Sequence, residues 1–288
     1  MIFYLLPEPT IHGGIKVGFQ FTAMLRQLGF DVVVVTPNGS APQWFASDVP
    51  VLRREIVLPK LNTKDQVIFS LPHDYEELKQ TGARLVFHCQ GTDELIIPIL
   101  QDEGVEILTC WEQADEFVSK YGRESENVGI SISRIFFYSG QLKQPGTYAI
   151  MPRRGSLPHP NKLSGFEKRE IHEMKEGQVA GIFKKTSGFI ALSENEWFGL
   201  PALEAMAAGC LVVTPKTIGG GEYLIDRKNC FVEQLDHLAE RMSQVLNHEE
   251  EHSRLRQEAI NTSYKYHPRS QFQHLQKIIT SGGLKFLN

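Results

Sequence analysis

Two glutamates, Glu196 and Glu204, have residue types and a spacing that could do chemistry, with seven residues between them. A carboxylate accepts two or more hydrogen bonds, so a pair of them suits a ligand rich in hydroxyl groups. The residues from 198 to 202 lead into a predicted helix, whose first N–H groups favour a phosphate. Hydroxyl groups and phosphate on one ligand indicate a molecule such as a sugar nucleotide.

The elements that must position these glutamates follow from the local pattern. The apolar run 188–192 predicts a buried strand. Pro201 suits the first position of a helix over 202–208, which Gly209 ends. A second short strand follows over 211–214, and a glycine loop over 219–221 can approach a ligand closely. This order is how an α/β domain presents a site at the carboxyl ends of its strands.

The segment EWFGLPALEAMAAG, residues 196–209, resembles the E-x7-E motif of retaining GT-B glycosyltransferases of the group 1 class. The loop Gly219-Gly220-Gly221-Glu222 resembles the GG-x-x-E loop of that class, and residues 229–231 resemble its N-G-F turn with Cys230 in place of glycine. The resemblance implies an α/β, GT-B fold, in which two Rossmann-like, doubly wound domains face each other across a cleft.

The resemblance also implies a function and roles for particular residues. The expected reaction moves a sugar, with retention, from a nucleoside diphosphate sugar to a hydroxyl acceptor, which is a glycan, a lipid or a small molecule. Glu196 is then expected to contact the transferred sugar, and Glu204 the ribose. Further donor contacts are expected from the helix mouth and from the glycine loop, namely Phe198, Gly199, Leu200, Gly220 and Glu222. A non-catalytic protein that binds sugar nucleotides is the alternative.

No essential metal or other cofactor is expected for this reaction. Backbone N–H groups and a basic residue can stabilise the departing diphosphate. Arg153 and Arg154 follow a predicted strand over 148–151, and arginine suits bidentate phosphate contact. Arg154 is the favoured ligand, and Arg153, Lys162 or a merely solvated basic loop are the alternatives.

The amino-terminal part of the chain adds two candidates. Gly13 and Gly14 follow the first strand and precede a helix over 16–28 and a strand over 31–36, but they do not form G-x-G-x-x-G. The resemblance places such a pair against the donor phosphates or the acceptor, and a plain tight turn is the alternative. His88 lies near the end of a predicted strand over 84–89 and is a catalytic candidate, because a histidine there can bond a sugar hydroxyl.

The predicted domains are an acceptor-side domain over 1–144, a donor-binding domain over 145–264 and a closing helix over 265–288 that crosses back to the first domain. A strand over 130–133 is expected to be the last of the first domain. Only two segments, 166–175 and 178–185, separate Arg154 from the central strand, and both are predicted as helices. The second domain is therefore expected to be trimmed.

Composition and charge limit the class of partner. The net charge of −4 gives no general attraction to nucleic acid or to anionic lipid. Four cysteines lie far apart without a C-x-x-C, which favours reduced thiols and a cytoplasmic location. No apolar run has the length to span a bilayer, while peripheral membrane contact and the oligomeric state stay open.

Residues 248–252 satisfy the H-E-x-x-H pattern of zinc peptidases. The residues on both sides, Asn247 and Ser253, are polar, whereas zinc-binding helices of that type are usually buried and apolar. The pattern is interpreted as a solvated linker between two helices.

Overall fold

The computed structural model describes residues 1–287 and divides the chain into two compact units. The first unit is Met1–Ser131 together with the residues from Gln271 onward, and the second unit is Ile132–Ser270. The predicted boundary between residues 144 and 145 differs from this division. Residues 132–143 lie with the second unit because Tyr138 N donates to Ala207 O at 2.8 Å, and Lys143 Nζ donates to Phe183 O at 2.8 Å and to Ala208 O at 2.6 Å.

The first unit is built on a seven-stranded parallel sheet in the order β3-β2-β1-β4-β5-β6-β7. Its strands are β1 (Ile2–Leu5), β2 (Val32–Thr36), β3 (Val51–Arg53), β4 (Gln66–Phe69), β5 (Arg84–Cys89), β6 (Glu106–Thr109) and β7 (Glu126–Asn127). Its helices to this point are α1 (Gly13–Gln27), α2 (Arg54–Val57), α3 (Tyr75–Lys79), α4 (Ile97–Leu100) and α5 (Glu112–Lys120). The strand order reverses between β1 and β4, which is where ligands bind in sheets of this kind.

Continuous apolar runs explain the central strands. β2 is buried along its whole length, as expected for a parallel strand with helices on both faces of its sheet. Helix α1 buries Phe19, Phe21 and Leu25 against the same core. The predicted strand over 130–133 is wrong, since the last strand of this sheet is β7 and residues 130–133 pair with no strand.

The second unit is built on a five-stranded parallel sheet in the order β12-β11-β10-β8-β9. Its strands are β8 (Gln144–Ile150), β9 (Glu167–Glu170), β10 (Thr186–Ile190), β11 (Leu211–Thr214) and β12 (Phe231–Val232). Its helices are α6 (Glu176–Lys185), α7 (Leu200–Ala207), α8 (Leu238–Asn247) and α9 (Ser253–Ser263). Leu238 and Met242 of α8 pack on Ile190 and Val213 in its core.

Strand β9 corrects the prediction of a helix over 166–175. The sequence of β9 is Glu-Lys-Arg-Glu, four good helix formers, yet Ala149 of β8 pairs in register with Arg169 of β9. An edge strand can carry charge on its open side, and such charges discourage pairing with another chain. Pairing with β8 therefore overrides the local helix propensity.

The last helix, α10 (Pro268–Thr280), begins at the proline that the sequence places between two helical segments. Gln271 Nε2 donates to Gly129 O at 2.7 Å, and Leu275 and Ile278 are buried in the core of the first unit. The end of the chain is thus part of the first unit. No helix among the described residues has both the length and the apolar character to cross a membrane.

Candidate functional site

The loop that carries Glu196 follows β10 and is held by a second loop. The Gly219 amide donates to the Glu196 carbonyl at 3.2 Å. A Cβ atom added to Gly219 would lie 1.2 Å from the Trp197 carbonyl oxygen, so only glycine fits there. The two motifs that stand apart in the sequence are therefore one packed structure.

Gly199 ends this loop and precedes α7, with a left-handed backbone at φ 85°. Pro201 in the first turn has no N–H, and the Ala202 amide donates to the Gly199 carbonyl at 3.1 Å. The prediction of free amides throughout 198–202 is therefore too broad. The amides of Gly199 and Leu200 are the ones next to the helix mouth that this turn does not use.

Two buried side chains, those of Tyr223 and Asn229, stabilise the turn through hydrogen bonds. Tyr223 Oη lies 2.7 Å from the Gly199 carbonyl oxygen and 3.0 Å from that of Phe198. Burial raises the pKa of Tyr223 well above its usual value, so the hydroxyl keeps the proton that it donates. Asn229 Nδ2 donates in turn to the Tyr223 carbonyl at 2.8 Å.

A pocket opens beside this turn. It lies at the carboxyl ends of β8, β10 and β11 and at the amino end of α7, where a ligand of a parallel sheet is expected. Its lining includes Gly199 and several residues with polar side chains, namely Arg154, Ser193, Glu196, Thr214, Thr217 and Tyr223.

Arg154 and Glu196 form an ion pair in this pocket, with Arg154 Nη1 at 2.9 Å from Glu196 Oε1. The Arg154 Nε atom is buried and makes no hydrogen bond with any residue from 1 to 287. An unsatisfied buried donor is unfavourable, so a ligand oxygen that reached this atom would be stabilised. The pocket thus brings together a carboxylate that can accept hydrogen bonds and a guanidinium with one unused donor.

Arg153 and Glu204 belong to the same electrostatic cluster. Burial lowers the pKa of Arg153, and the charge of Arg154 lowers it further. The carboxylates of Glu196, Glu173 and Glu204 act in the opposite direction. Both glutamates of the E-x7-E motif are therefore close enough to influence one guanidinium, and Glu204 is only 8% exposed. Glu196 lines the pocket, and Glu204 lies one turn inside α7.

Two further residues predicted for the site, Gly220 and Glu222, lie in the glycine loop and bond to other residues of the same unit. The Gly220 amide donates to Thr217 Oγ1 at 3.0 Å. Glu222 Oε1 accepts a hydrogen bond from Tyr266 Oη at 2.9 Å. Lys162, by contrast, is half exposed and lies 4.0 Å from Glu240 of α8, which makes it a surface residue.

Residues 170–262 match the family described as glycosyl transferases group 1, and they contain this pocket except for Met151 and Arg154. This part of the chain, about a third of its length, is similar to a group 1 glycosyltransferase domain. No curated protein sequence matches it.

Solved structures show the GT-B glycosyltransferase fold over nearly the whole chain. Sucrose-phosphate synthase from Thermosynechococcus elongatus superposes with a TM-score of 0.76 at 11% identity, over 97% of this chain and 98% of that one. HepE from Anabaena, in complex with UDP-glucose, has a TM-score of 0.75 at 11% identity, over 97% and 99% of the two chains. WaaG, a glycosyltransferase involved in lipopolysaccharide biosynthesis, has a TM-score of 0.69 at 14% identity, over 98% and 100%.

In the first unit, His88 is not placed to bind a ligand. Its side chain is 0% exposed, and its two ring nitrogens lie 2.6 Å from Tyr4 Oη and 2.8 Å from Cys110 Sγ. Burial lowers the pKa of His88 to about 3. The expected contact of His88 with a sugar hydroxyl is therefore wrong in this structure, because neither nitrogen is accessible.

We expect His88 to make stability depend on pH. The folded protein keeps it neutral down to about pH 3, whereas the unfolded chain takes up a proton near its usual pKa of about 6.5. The unfolded state then binds more protons between these values, so stability falls as the pH is lowered, by about 2 kcal/mol from pH 7 to pH 5. Denaturant unfolding of the wild type and of His88→Gln at both pH values measures this difference.

The His88→Gln variant is expected to be less stable at neutral pH and to lose part of the acid sensitivity. His73→Gln, at an exposed position, is the control and should keep the wild-type slope. Equal slopes for all three proteins would show that His88 is not held neutral.

The glycine pair forms the first turn of α1 in the same unit. His12 caps this helix, and its Nδ1 atom accepts a hydrogen bond from the Gly14 amide at 3.3 Å. A Cβ atom on Gly14 would lie 2.5 Å from Gln90 Oε1, so a larger residue would displace Gln90. Gly13 and Gly14 therefore belong to a helix start packed on the end of β5, and a ligand role for them stays a prediction.

The H-E-x-x-H pattern has a structural explanation. Glu249 accepts hydrogen bonds from the Gly146 amide at 2.8 Å and from Ser187 Oγ at 2.6 Å, and so joins β8 to β10. His248 bonds Glu251, and His252 packs on a phenylalanine ring. Across residues 1–287, no three histidine, cysteine or acidic side chains are grouped to hold a metal ion.

We expect Glu249→Ala to destabilise the second unit by about 2 kcal/mol, because it leaves the Gly146 amide without an acceptor and removes the carboxylate that lies 3.6 Å from Arg256 Nη2. Glu250→Ala is the matched control, since its side chain is exposed next to it. Thermal unfolding of both variants, with and without zinc, measures the effect. Equal melting temperatures for the two variants, or stabilisation of the wild type by zinc, would contradict this assignment.

Tyr223 and Tyr266 are site residues that the sequence did not reveal. Tyr223 directly follows Glu222, a residue predicted for the site, and this adjacency is the one local signal that pointed to Tyr223. Tyr266 lies 44 residues from its partner Glu222, and no local pattern indicates their contact.

Proposed function

We propose that this glycosyltransferase moves a sugar, with retention of anomeric configuration, from a nucleoside diphosphate sugar to a hydroxyl of a glycan, lipid or small molecule. The observation that carries the proposal is the pair Arg154–Glu196 in the pocket at the mouth of α7. Glu196 suits the hydroxyls of a sugar, and Arg154 with its unsatisfied Nε suits a phosphate. One ligand that carries both groups would satisfy both side chains.

Proteins of the same fold support this choice of donor. The HepE structure holds UDP-glucose, and the pneumococcal O-GlcNAc transferase GtfA was solved with UDP and GlcNAc. GtfA shares 14% identity with this chain at a TM-score of 0.56. UDP-glucose is therefore the first donor to test, and GDP-mannose and ADP-glucose follow, because no residue that lines the pocket selects the base.

In the proposed reaction, the bond from the anomeric carbon to the diphosphate oxygen breaks, and a bond from that carbon to the acceptor oxygen forms on the same face. The proton of the acceptor hydroxyl passes to an oxygen of the departing diphosphate. The Gly199 and Leu200 amides and Arg154 stabilise the charge that grows on the diphosphate. Glu196 holds the sugar, Glu204 holds the ribose, and Phe198, Gly220 and Glu222 shape the loops around the donor.

The proposed reaction needs no metal ion, since these donors supply the positive potential at the leaving group. Turnover with EDTA equal to turnover with Mg²⁺ is the expected result. A requirement for Mg²⁺ would overturn this part of the proposal.

The deciding experiment measures donor hydrolysis and binding for UDP-glucose, GDP-mannose and ADP-glucose. Slow hydrolysis of one donor, with the sugar released first as the same anomer by NMR, supports the proposal. Binding of a donor without any turnover, with or without a panel of sugar and lipid acceptors, would instead support a non-catalytic sugar-nucleotide binding protein. Neither binding nor turnover with any donor would overturn both functions.

A further inference from the structure

The turn at the mouth of α7 has little intrinsic rigidity. Gly199 adopts φ 85°, and glycine is the residue with the most backbone freedom to lose. Preorganised donors stabilise a growing charge best when they need no rearrangement during the reaction. A donor group built on this glycine therefore needs a restraint from elsewhere in the fold.

Tyr223 supplies such a restraint from 24 residues away. Its side chain is 0% exposed, and its hydroxyl lies 2.7 Å from the Gly199 carbonyl oxygen and 3.0 Å from the Phe198 carbonyl oxygen. A Cβ atom at position 199 would approach this hydroxyl to 2.9 Å, so glycine leaves room for it. The single proton of this hydroxyl is thus shared between two successive carbonyl oxygens of the turn.

Fixing these carbonyls also fixes two amides. In a trans peptide the C=O and N–H bonds of one unit point in opposite directions, and every peptide bond between described residues is trans. The Phe198 carbonyl therefore sets the direction of the Gly199 N–H, and the Gly199 carbonyl sets that of the Leu200 N–H. Both N–H groups therefore point away from the Tyr223 hydroxyl.

The tyrosine is itself held firmly. Asn229 is fully buried, donates to the Tyr223 carbonyl at 2.8 Å and accepts from the Ile225 amide at 2.9 Å. The Tyr223 ring packs on Phe198 and Tyr266, with ring centroids at 5.2 Å and 5.9 Å. The backbone and the ring of Tyr223 are thus both constrained.

We infer that Tyr223 is a positioning residue of this enzyme, whose buried hydroxyl aims the Gly199 and Leu200 amides at the leaving diphosphate. The inference rests on the proposed function, since it assigns the diphosphate to this pocket. Tyr223 acts through the turn, because its fully buried hydroxyl donates to the two carbonyls of that turn.

The test compares Tyr223→Phe with Tyr138→Phe, which also loses one hydroxyl that donates to a backbone carbonyl, that of Gln141 at 2.8 Å. With the donor that turns over fastest, Tyr223→Phe should lower kcat about tenfold or more and change the donor KM less than about threefold. The control should keep the wild-type kcat. A kcat for Tyr223→Phe within twofold of the control would overturn the inference.

A second measurement does not depend on any variant. Titration of the ¹⁵N-labelled wild type with UDP should shift the Gly199 and Leu200 amide proton signals downfield, as expected for N–H groups that donate to phosphate. If UDP binds and these two signals do not move, the inference fails even when the variant cannot be purified.

These outcomes separate the inference from the proposed function. A wild type that neither binds UDP nor turns over any donor contradicts the proposed function itself. An active wild type whose Tyr223→Phe variant behaves like Tyr138→Phe contradicts only the positioning role.

Discussion

Glu196→Gln is expected to lower kcat/KM for the donor about a hundredfold while the protein stays folded. The substitution keeps the size of the side chain but removes the charge that pairs with Arg154 at 2.9 Å and that would bind the sugar hydroxyls. Hydrogen bonds to a charged group contribute about 1.5–3 kcal/mol, which corresponds to roughly ten- to over a hundredfold in rate. Initial rates of donor hydrolysis and transfer over a range of donor concentrations measure the effect.

Glu194→Gln is the matched control for this variant, because Glu194 lies in the same loop with an exposed side chain. It should retain wild-type kinetics. If both variants are as active as the wild type, Glu196 does not contact the transferred sugar, and the pocket at the mouth of α7 is not the donor site.

Gly219→Ala is expected to lower the stability of the second unit by about 3 kcal/mol, at the upper end of typical overpacking effects. The added Cβ would lie 1.2 Å from the Trp197 carbonyl oxygen and 2.4 Å from its carbon, and both are backbone atoms that cannot rotate away. The loop of Glu196 must then move, so donor binding should be lost as well. Thermal unfolding and a UDP titration measure the two effects.

The control for backbone stiffening is Gly181→Ala in α6, where a Cβ meets nothing within 4 Å. This change should raise stability by roughly 0.5–1 kcal/mol, since alanine has the higher helix propensity. Equal melting temperatures for the two alanine variants would show that the two loops are not packed as described.

Local sequence patterns predicted most of the elements that carry the site. Apolar runs predicted the strands β2, β5, β10 and β11. Pro201 and Gly209 predicted the two ends of α7 to within a few residues of the observed bounds. These signals are reliable because a buried parallel strand must be apolar along its length and because helix ends require particular residues. The placement of Glu196 and Glu204 beside one helix mouth followed from those elements.

The errors have a common cause in contacts between distant parts of the chain. β9 is a strand only because β8 offers it a partner, and its own residues favour a helix. His88 lies at the right end of β5, yet Tyr4, 84 residues away, covers one of its nitrogens. No periodicity or propensity within β5 carries that information.

The sequence by itself determined the class of fold and the two glutamates, because spacing along one loop and one helix sets their separation. The tertiary structure decided which groups face the pocket, since that depends on side chains brought together from separate elements. It paired Arg154 with Glu196, joined Glu249 to β8 and β10, and placed the Tyr223 hydroxyl under the turn that Gly199 makes. Such contacts form only when whole strands and helices pack, because no local pattern specifies a partner tens of residues away.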